Sequence, residues 1–268
     1  MNRYELTKYG RTITYTDDGV GDAILFIHGF CGSADYWKYI IPELSKNHRV
    51  LAVNLRGHGG SSTVKEPYGI EEMAEDIKLV MDDLSIGKAS VIGHSLGGYT
   101  ALCFAENYPE KLHSFGLVHS TAFPDSEEGK RSRDAGMKKI ESEGIKPFVD
   151  QLIPNLFAPE NKEGEEAEFA RQIGYQTPAA GAVSALEAMK NRPDRRHVIK
   201  MSNVPVLLLA GSEDEVISKE KTITADGDHI YQAVLKDAGH MGMLEKPEEF
   251  TAILKDFLES FVHPKPAE

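Results

Sequence analysis

A serine among small residues forms the clearest chemical pattern in the chain, at residues 93–98, Gly-His-Ser-Leu-Gly-Gly. A short apolar run at residues 89–92 precedes it, and a run typical of a helix begins at Leu96. In such a strand–turn–helix context, glycines on both sides let the chain turn sharply and expose the serine in a strained conformation. The pattern therefore predicts that Ser95 is a nucleophile.

A serine hydroxyl needs a base to become a nucleophile at neutral pH, and that base needs an acid to orient it. Where a serine stands at such a turn, the acid and then the histidine follow it along the chain. Asp214 comes soon after the apolar run at residues 206–210, and His240 follows the run at residues 231–235. Because the carboxyl ends of parallel strands meet at one edge of a sheet, both side chains should lie near Ser95. We predict His240 as the general base and Asp214 as the acid that orients it.

Other acidic residues could take the orienting role. Glu213 and Glu215 flank Asp214 and could reach the imidazole, and Asp125 follows an earlier predicted strand. The identity of the acid therefore stays open, with Glu213 as the main alternative to Asp214. Several further histidines lie at predicted sheet-edge turns, but only His240 stands downstream of both the serine and the candidate acid. These further histidines are His28, His58, His94 and His119.

The elements that must position these residues alternate along the chain. Two strand candidates between residues 4 and 16 break at Gly10, and a helix opened by a serine cap is predicted for residues 33–44. Apolar residues at steps of three and one predict an amphipathic helix over residues 70–84. Strands that alternate with helices favour parallel pairing in one sheet. Further strands are predicted at residues 23–27, 49–53, 89–92, 114–118, 206–210 and 231–235, and further helices at residues 96–107 and 250–261.

The alternation stops after residue 120 and resumes near residue 197. Between these points the sequence shows helical periodicity and scattered prolines, but no strand pattern. We predict one core domain formed by residues 1–120 and 197–268, interrupted by a helical cap insertion at residues 121–196. Several apolar residues of this insertion are candidates to line a substrate pocket. They are Phe148, Leu152, Leu156, Phe157 and Tyr175.

The charge composition argues against some classes of binding partner. The 268 residues include 30 basic and 42 acidic side chains, which gives a net charge of −12. Nucleic acids and anionic membranes need a positive protein surface, so neither is expected as a partner, and a polyanionic substrate is disfavoured. No apolar stretch is long enough to span a bilayer, and no apolar run follows the first residues, so a cytoplasmic protein is expected. A monomer and a homodimer are both compatible with the sequence.

The cysteines exclude two further classes of protein. Only Cys31 and Cys103 are present, which is too few for a disulfide framework. They also lack the paired spacing of a zinc site. Reduced thiols and the absence of a metal are therefore expected.

Four motifs resemble the α/β-hydrolase superfamily, specifically its small bacterial esterase-like members with a helical cap. The resemblance covers nearly the whole chain. It implies an α/β fold with a mostly parallel central sheet of about eight strands, helices on both faces, and a helical cap insertion. The motifs are His28-Gly29-Phe30 after a predicted strand, Asn54-Leu55-Arg56-Gly57-His58-Gly59-Gly60-Ser61, the serine turn at residues 93–98, and Gly239-His240 before the last helix.

The resemblance also implies how the site is completed. The backbone N–H groups of Phe30 and Leu96 would form an oxyanion hole, since two preorganised donors stabilise a tetrahedral oxyanion. The substrate-binding residues would be Phe30, His119, Leu152 and Leu156. No metal ion or organic cofactor is required.

Two positions depart from the family pattern. Asn54 stands where many members carry Asp, a change that concerns hydrogen bonding in the loop rather than chemistry. Glu215 stands where a proline often follows the acid, which weakens the assignment of Asp214.

A serine at this turn favours acyl transfer to water, because the related dehalogenases and epoxide hydrolases attack through a carboxylate instead. The expected activity is hydrolysis of a small-molecule carboxylic ester through an acyl-enzyme. One alternative is a carbon–carbon bond hydrolase or lyase of the same fold, because residues 28–33 also resemble a loop of a menaquinone-pathway lyase. Against it, no basic residue stands beside the serine turn to hold a carboxylated substrate. The other alternative is a ligand receptor with a vestigial triad.

Overall fold

The computed structural model describes residues 1–63 and 67–262, and its strands form one sheet. The eight strands are, in chain order, β1 Arg3–Lys8, β2 Arg11–Asp18, β3 Ala23–Ile27, β4 Arg49–Val53, β5 Ala89–His94, β6 Leu112–Val118, β7 Val206–Gly211 and β8 Ile230–Leu235. Neighbours in the sheet follow the order β1-β2-β4-β3-β5-β6-β7-β8. The strands predicted from the sequence are therefore all present.

The sheet is mostly parallel. β2 pairs antiparallel with both β1 and β4, and the other five pairs of neighbours are parallel. Every residue of β3, β5 and β7 is buried, as expected for central parallel strands covered on both faces. The predicted fold class is confirmed.

Helices connect the strands and close the chain. They are α1 Ile41–Leu44, α2 Ile70–Asp83, α3 Leu96–Asn107, α4 Glu127–Glu143, α5 Ile145–Leu152, α6 Glu165–Tyr175, α7 Ala179–Asn191, α8 Arg196–Lys200, α9 Lys219–Thr222, α10 Gly242–Glu245 and α11 Pro247–Phe257. The apolar face of α2 is buried at the residues whose spacing predicted it, including Met73, Ile77 and Val80.

One predicted helix is wrong in extent. Residues 33–44 form a short 3-10 helix, Ala34–Trp37, followed by the separate α1. The hydroxyl of Ser33 accepts a hydrogen bond from the N–H of Asp35 at 3.2 Å, so the predicted serine cap is present. The helix cannot run on because Pro42 has no N–H and fits only a first turn, where α1 begins anew.

The connection between β6 and β7 contains helices and no strand among its residues, all of which the structure describes. α4 to α7 lie within it, and α8 begins where the predicted insertion ends. The division into a core at residues 1–120 and 197–268 and a cap at residues 121–196 stays a prediction. The end of that core, residues 263–268, lies outside the described residues.

The structure also bears on the expectations about membrane spans and cysteines. In the described part of the chain, no helix is both long enough and apolar enough to cross a bilayer. Cys31 and Cys103 are both buried and form no disulfide. Each therefore packs as a small apolar side chain.

Candidate active site

Ser95 stands between the end of β5 and the start of α3, with backbone angles φ 49° and ψ −112°. A positive φ is uncommon for a residue with a side chain and marks a strained turn. A Cβ on Gly93 would lie 2.0 Å from the carbonyl oxygen of Gly97, and a Cβ on Gly97 would lie 2.3 Å from the carbonyl oxygen of Ile27. Only glycine fits these two positions, so the local sequence creates the turn that presents the serine.

The loop after β3 lies against this turn. His28 donates from Nδ1 to the carbonyl of Gly29 at 2.7 Å, and its Nε2 accepts from the N–H of Leu55 at 3.0 Å. A Cβ on Gly29 would lie 3.3 Å from the Cβ of Ser95, so the backbone of this loop touches the serine. Burial and the neighbouring His58 lower the pKa of His28 to about 3. The imidazole is therefore neutral, and its two hydrogen bonds hold the loop that contains Phe30 in place.

His240 and Asp214 meet at the same edge of the sheet. The Nδ1 of His240 donates to Oδ2 of Asp214 at 2.8 Å, and Oδ1 of Asp214 accepts from the N–H groups of Val216 and Ile217, each at 2.9 Å. Burial alone would raise the pKa of Asp214, but the imidazoles of His240 and His119 outweigh it and hold that pKa well below its usual value. Asp214 is therefore a carboxylate that fixes the orientation of His240.

The alternative acids have other partners. Glu213 is exposed and accepts only a long hydrogen bond, at 3.4 Å, from the hydroxyl of Ser212. Glu215 lies 3.7 Å from the ammonium of Lys162, and Asp125 pairs with two arginines. Among the described residues, Asp214 is the carboxylate that contacts His240.

His119 lies in a different place from the one predicted. It is fully buried at the end of β6, and its Nδ1 donates to Oδ2 of Asp214 at 3.3 Å, the same oxygen that His240 contacts. It is absent from the residues that line the cavity beside Ser95. The expected contact between His119 and substrate is therefore corrected: Asp214 holds the imidazole behind the site, away from the cavity.

Two side chains hold the loop that carries His240. The Nε2 of His94 donates to the carbonyl of His240 at 2.8 Å. Burial, with the nearby imidazoles of His240 and His119, lowers the pKa of His94 well below its ordinary value, so this donor stays neutral. On the other side, Oε1 of Glu245 accepts from the N–H groups of Gly239 and Met241 at 2.9 and 3.2 Å. The backbone is thus anchored on both sides of His240.

The same glutamate ties this loop to the helical connection. Oε2 of Glu245 accepts from the N–H of Ala158 at 2.8 Å and from the amide of Asn161 at 2.9 Å. The N–H of His240 also donates to the carbonyl of Leu156 at 2.8 Å. Residues 156–161 of the predicted cap and the His240 loop therefore share one hydrogen-bonded network. Nothing in the sequence pattern around Glu245 predicted it.

A cavity of about 560 Å³ opens onto the serine. Ser95 and His240 both line it, as do Phe30, Leu152 and Leu156, three of the four residues predicted to bind substrate. Leu96, the other predicted oxyanion donor, is buried at the first position of α3. Six of the residues predicted for the site are absent from this lining. They are Asp214, Leu96, His119, Phe148, Phe157 and Tyr175.

The cavity wall also contains basic residues that the sequence pattern did not reveal. The guanidinium of Arg192 lies 4.0 Å from the ring centroid of Tyr99, four residues after Ser95. A basic residue therefore does stand beside the serine turn, which corrects the expectation from the sequence. The contact joins positions far apart in the chain, so no local motif signals it.

Asn54, the first departure from the family pattern, has a clear role. Its Oδ1 accepts from the N–H of Ala34 at 2.7 Å, and its Nδ2 donates to the hydroxyl of Thr14 and the carbonyl of Gly59 at 2.9 and 3.1 Å. An amide supplies both the acceptor and the donors, whereas an ionised carboxylate could only accept. The residue stabilises the loop, as expected, and takes no part in the cavity lining.

His119, Asp214 and His240 also satisfy a distance criterion for metal ligands, since their ligating atoms lie within 4.8 Å of one another. In this structure the Nδ1 atoms of both histidines face the carboxylate as hydrogen-bond donors. A protonated nitrogen cannot ligate a metal ion. Hydrogen bonding therefore accounts for the cluster.

Comparisons with known proteins agree with this fold. The family model described as alpha/beta hydrolase fold matches residues 22–141. The 3-oxoadipate enol-lactonase 2 of Acinetobacter baylyi is 27% identical over 267 residues, which cover 96% of this chain and 96% of the enol-lactonase. A thermophilic esterase from Thermogutta terrifontis is 28% identical, with a TM-score of 0.92 over 98% of this chain and 100% of the esterase.

An enol-lactonase from Burkholderia xenovorans LB400 is also similar, with 27% identity and a TM-score of 0.85 over 95% of this chain and 99% of that structure. These matches cover 95 to 98% of the chain, so they extend into the helical connection between β6 and β7. The chain therefore has the alpha/beta hydrolase fold and is a hydrolase enzyme, and the proteins similar to it include esterases and enol-lactonases.

Proposed function

We propose that this enzyme hydrolyses small-molecule carboxylic esters through a triad of Ser95, His240 and Asp214. One observation carries the proposal: Asp214 holds His240 by a hydrogen bond of 2.8 Å, and His240 lines the same cavity as the strained Ser95. A buried carboxylate that orients an imidazole towards a serine-bearing cavity is the arrangement that activates a serine hydroxyl.

The reaction proceeds through an acyl-enzyme. The Nε2 of His240 takes the proton from Ser95 as its Oγ attacks the carbonyl carbon, and the imidazolium then gives that proton to the departing alcohol. A water molecule, activated by the same imidazole, releases the acid and frees the serine. Asp214 stabilises the imidazolium because it stays ionised.

The negative charge on the tetrahedral intermediate needs donors on the opposite side of the carbonyl. The proposed donors are the N–H groups of Phe30 and Leu96. Leu96 opens α3, where N–H groups have no partner within the helix, and Phe30 follows the glycine whose backbone touches Ser95. Removing one such donor commonly costs about 3 kcal/mol of transition-state stabilisation.

The cavity and the relatives favour a small or medium-sized ester. A volume of about 560 Å³ falls within the usual range for small-molecule sites. The similar proteins named above are esterases and enol-lactonases, and a lactone is a cyclic ester. In this proposal residues 121–196 act as the cap that shapes the acyl pocket through Leu152 and Leu156.

A labelling experiment tests the nucleophile. Wild-type protein should hydrolyse p-nitrophenyl butyrate and become labelled by a fluorophosphonate on the peptide that contains Ser95. Ser95→Ala should lose the label and several orders of magnitude of kcat while its circular dichroism stays native. Ser142→Ala, an exposed serine on α4, is the matched control and should behave as wild type. Retention of more than about a tenth of wild-type turnover in Ser95→Ala would contradict the proposal.

A further inference from the structure

The cavity wall carries an excess of positive charge that the overall composition hides. The chain has a net charge of −12, yet the basic residues of the wall outnumber its aspartates by two. The basic residues are Arg133, Arg192, Arg196 and Lys221, and the acidic ones are Asp125 and Asp194. A cleft lined by an excess of one charge attracts ligands of the opposite charge, even when the net charge of the whole protein has the same sign as the ligand.

Asp125 is held between two of these arginines. Its Oδ1 lies 2.7 Å from Nη1 of Arg192, and its Oδ2 accepts from Nε of Arg133 at 3.1 Å. The side chains of Asp125 and Arg192 are only 8% and 5% exposed, so water screens this group poorly. Among the residues that the structure describes, one carboxylate between two guanidinium groups leaves one positive charge without a counterion.

Arg192 is fixed in place before any ligand binds. Its Nε donates to the carbonyl of Phe123 at 3.1 Å, and its Nη1 donates to the carbonyl of Met189 at 2.7 Å. Its guanidinium stacks over Tyr99, in the first turn of the helix that follows the serine. The positive group is therefore preorganised in the wall of the cavity that Ser95 opens onto, which lowers the cost of binding an anion there.

We propose that Arg192 and Arg133 bind a carboxylate of the substrate, separate from the ester that Ser95 attacks. The inference rests on the proposed function and names its substrate class: esters that carry one free carboxylate. In the described part of the chain, the hydrogen bonds of these arginines use Nε and Nη1 of Arg192 and Nε of Arg133, which leaves Nη2 of Arg192 and both Nη groups of Arg133 to donate to a carboxylate. The single uncompensated charge of the Asp125 cluster suits a monoanion. Lys221, exposed at the edge of the same cavity, adds a further attraction.

Matched substrates test this class directly. The monomethyl esters of the dicarboxylic acids from succinic to suberic acid carry the charge, and the methyl esters of the corresponding monoamides are their neutral isosteres. At the best chain length, kcat/KM for the acid should exceed that for the amide by about ten- to a hundredfold. The ratio should fall when NaCl is raised from about 0.05 to 0.5 M, because salt screens the attraction.

Charge-removing variants locate the effect. Arg133→Gln should lower the acid-to-amide ratio strongly, and Lys221→Gln should lower it less because Lys221 is more exposed. Arg131→Gln and Lys219→Gln remove the same charges from the same two helices at exposed positions outside the cavity lining, so both should keep the wild-type ratio.

The outcomes separate this inference from the proposed function. A wild-type ratio of one or less, or a ratio that Arg133→Gln leaves unchanged, overturns the carboxylate site. Hydrolysis of the amides without charge preference would overturn it while leaving ester hydrolysis intact. Failure to hydrolyse any ester would overturn the proposed function itself. If Arg133→Gln does not fold, the wild-type ratio and its response to salt decide.

Discussion

The carboxyl edge of the sheet, where the strands end, and the helical connection of residues 121–196 differ in how deeply their residues are buried. All six residues of β7, the strand that leads to Asp214, are buried, whereas Ile140 is the one buried residue among the 17 of α4. Close packing fixes the ends of β5 and β7, which lead to Ser95 and Asp214, whereas β8, which leads to His240, is the last strand of the sheet and is partly exposed. The connection contributes both apolar residues, such as Leu152 and Leu156, and charged ones, such as Arg133 and Arg192, to the cavity wall. Substitutions at the edge should therefore affect rate and stability, and those in the connection should affect selectivity.

The two regions nevertheless meet at a few tight contacts. A Cβ on Gly181 of α7 would lie 2.7 Å from the Cα of Gly57, so these two backbones touch. Glu245 and the carbonyl of Leu156 link the connection to the His240 loop. The two regions should therefore respond to substitution most differently away from these contacts.

The largest effect is expected at the sheet edge. Asp214→Asn should lower kcat for p-nitrophenyl butyrate by about 10³ to 10⁴, because an amide does not stabilise the imidazolium and permits the wrong tautomer of His240. Glu213→Gln, at the adjacent exposed position, should leave kcat close to wild type. A large loss in Glu213→Gln with little loss in Asp214→Asn would reverse the assignment of the acid.

The next prediction concerns two substitutions, one that should lower the free energy of unfolding and one that should change the preference for acyl chain length. Phe250 is fully buried, with its ring 6.1 Å from that of Trp37, so Phe250→Ala should reduce the free energy of unfolding by about 3 to 5 kcal/mol. Leu152 is half-buried and lines the cavity, so Leu152→Ala should cost less stability. It should also widen the range of acyl chain lengths that are hydrolysed. Urea denaturation and kcat/KM across p-nitrophenyl esters measure the two quantities.

The control for this comparison is internal. Phe250→Ala should leave the relative kcat/KM of short and long esters unchanged in the fraction that stays folded. If Leu152→Ala also leaves that ratio unchanged, the helical connection is a packed cover without a part in selectivity.

A smaller effect is expected where the two regions join. Glu245→Gln replaces one of two acceptor oxygens by a donor that faces backbone N–H groups, so the His240 loop should lose its position. We expect kcat to fall about tenfold, since hydrogen bonds to a charged group are worth about 1.5 to 3 kcal/mol. Glu248→Gln, an exposed acid at the start of α11, is the matched control. A normal kcat in Glu245→Gln would show that the loop holds without this anchor.

The sheet edge and the helical connection should also differ in how their stability depends on pH. Burial lowers the pKa of His28 to about 3 and that of His58 to about 4, from an ordinary value of 6.5. Below pH 6.5 these two histidines become protonated in the unfolded chain but stay neutral in the folded chain. The free energy of unfolding therefore falls as the pH drops below 6.5. Each histidine contributes a slope of about 1.4 kcal/mol per pH unit. Asp214, whose pKa is lowered, adds a further loss only below its ordinary value of 3.8.

This acid sensitivity should begin at the sheet edge, because residues 121–196 contain no histidine. Hydrogen exchange measured at pH 5 and pH 7 should show the loops around His28 and His58 opening first in acid. Free energies of unfolding that stay constant across this range would contradict the buried neutral histidines.

The sequence predicted the elements whose signals are local. Apolar runs bounded by turns gave the strands, and the order of Ser95, Asp214 and His240 along the chain predicted their convergence because parallel strands end at one edge. Three features depend on tertiary contacts and were missed. Arg192 reaches Tyr99 from far along the chain, Glu245 acts through backbone groups, and His119 faces Asp214 rather than the cavity. Residues 33–44 do not form one continuous helix for a local reason, because Pro42 lacks an N–H.

The central claim is that Ser95 becomes acylated, and pre-steady-state kinetics tests it most directly. Wild-type protein mixed rapidly with excess p-nitrophenyl butyrate should release a burst of nitrophenolate close to one equivalent per chain when deacylation is slower than acylation. Acid quenching and mass spectrometry should then find one butyryl group on the peptide that contains Ser95. Steady hydrolysis with no acyl group on that peptide, even at the lowest temperature that permits turnover, would contradict the account.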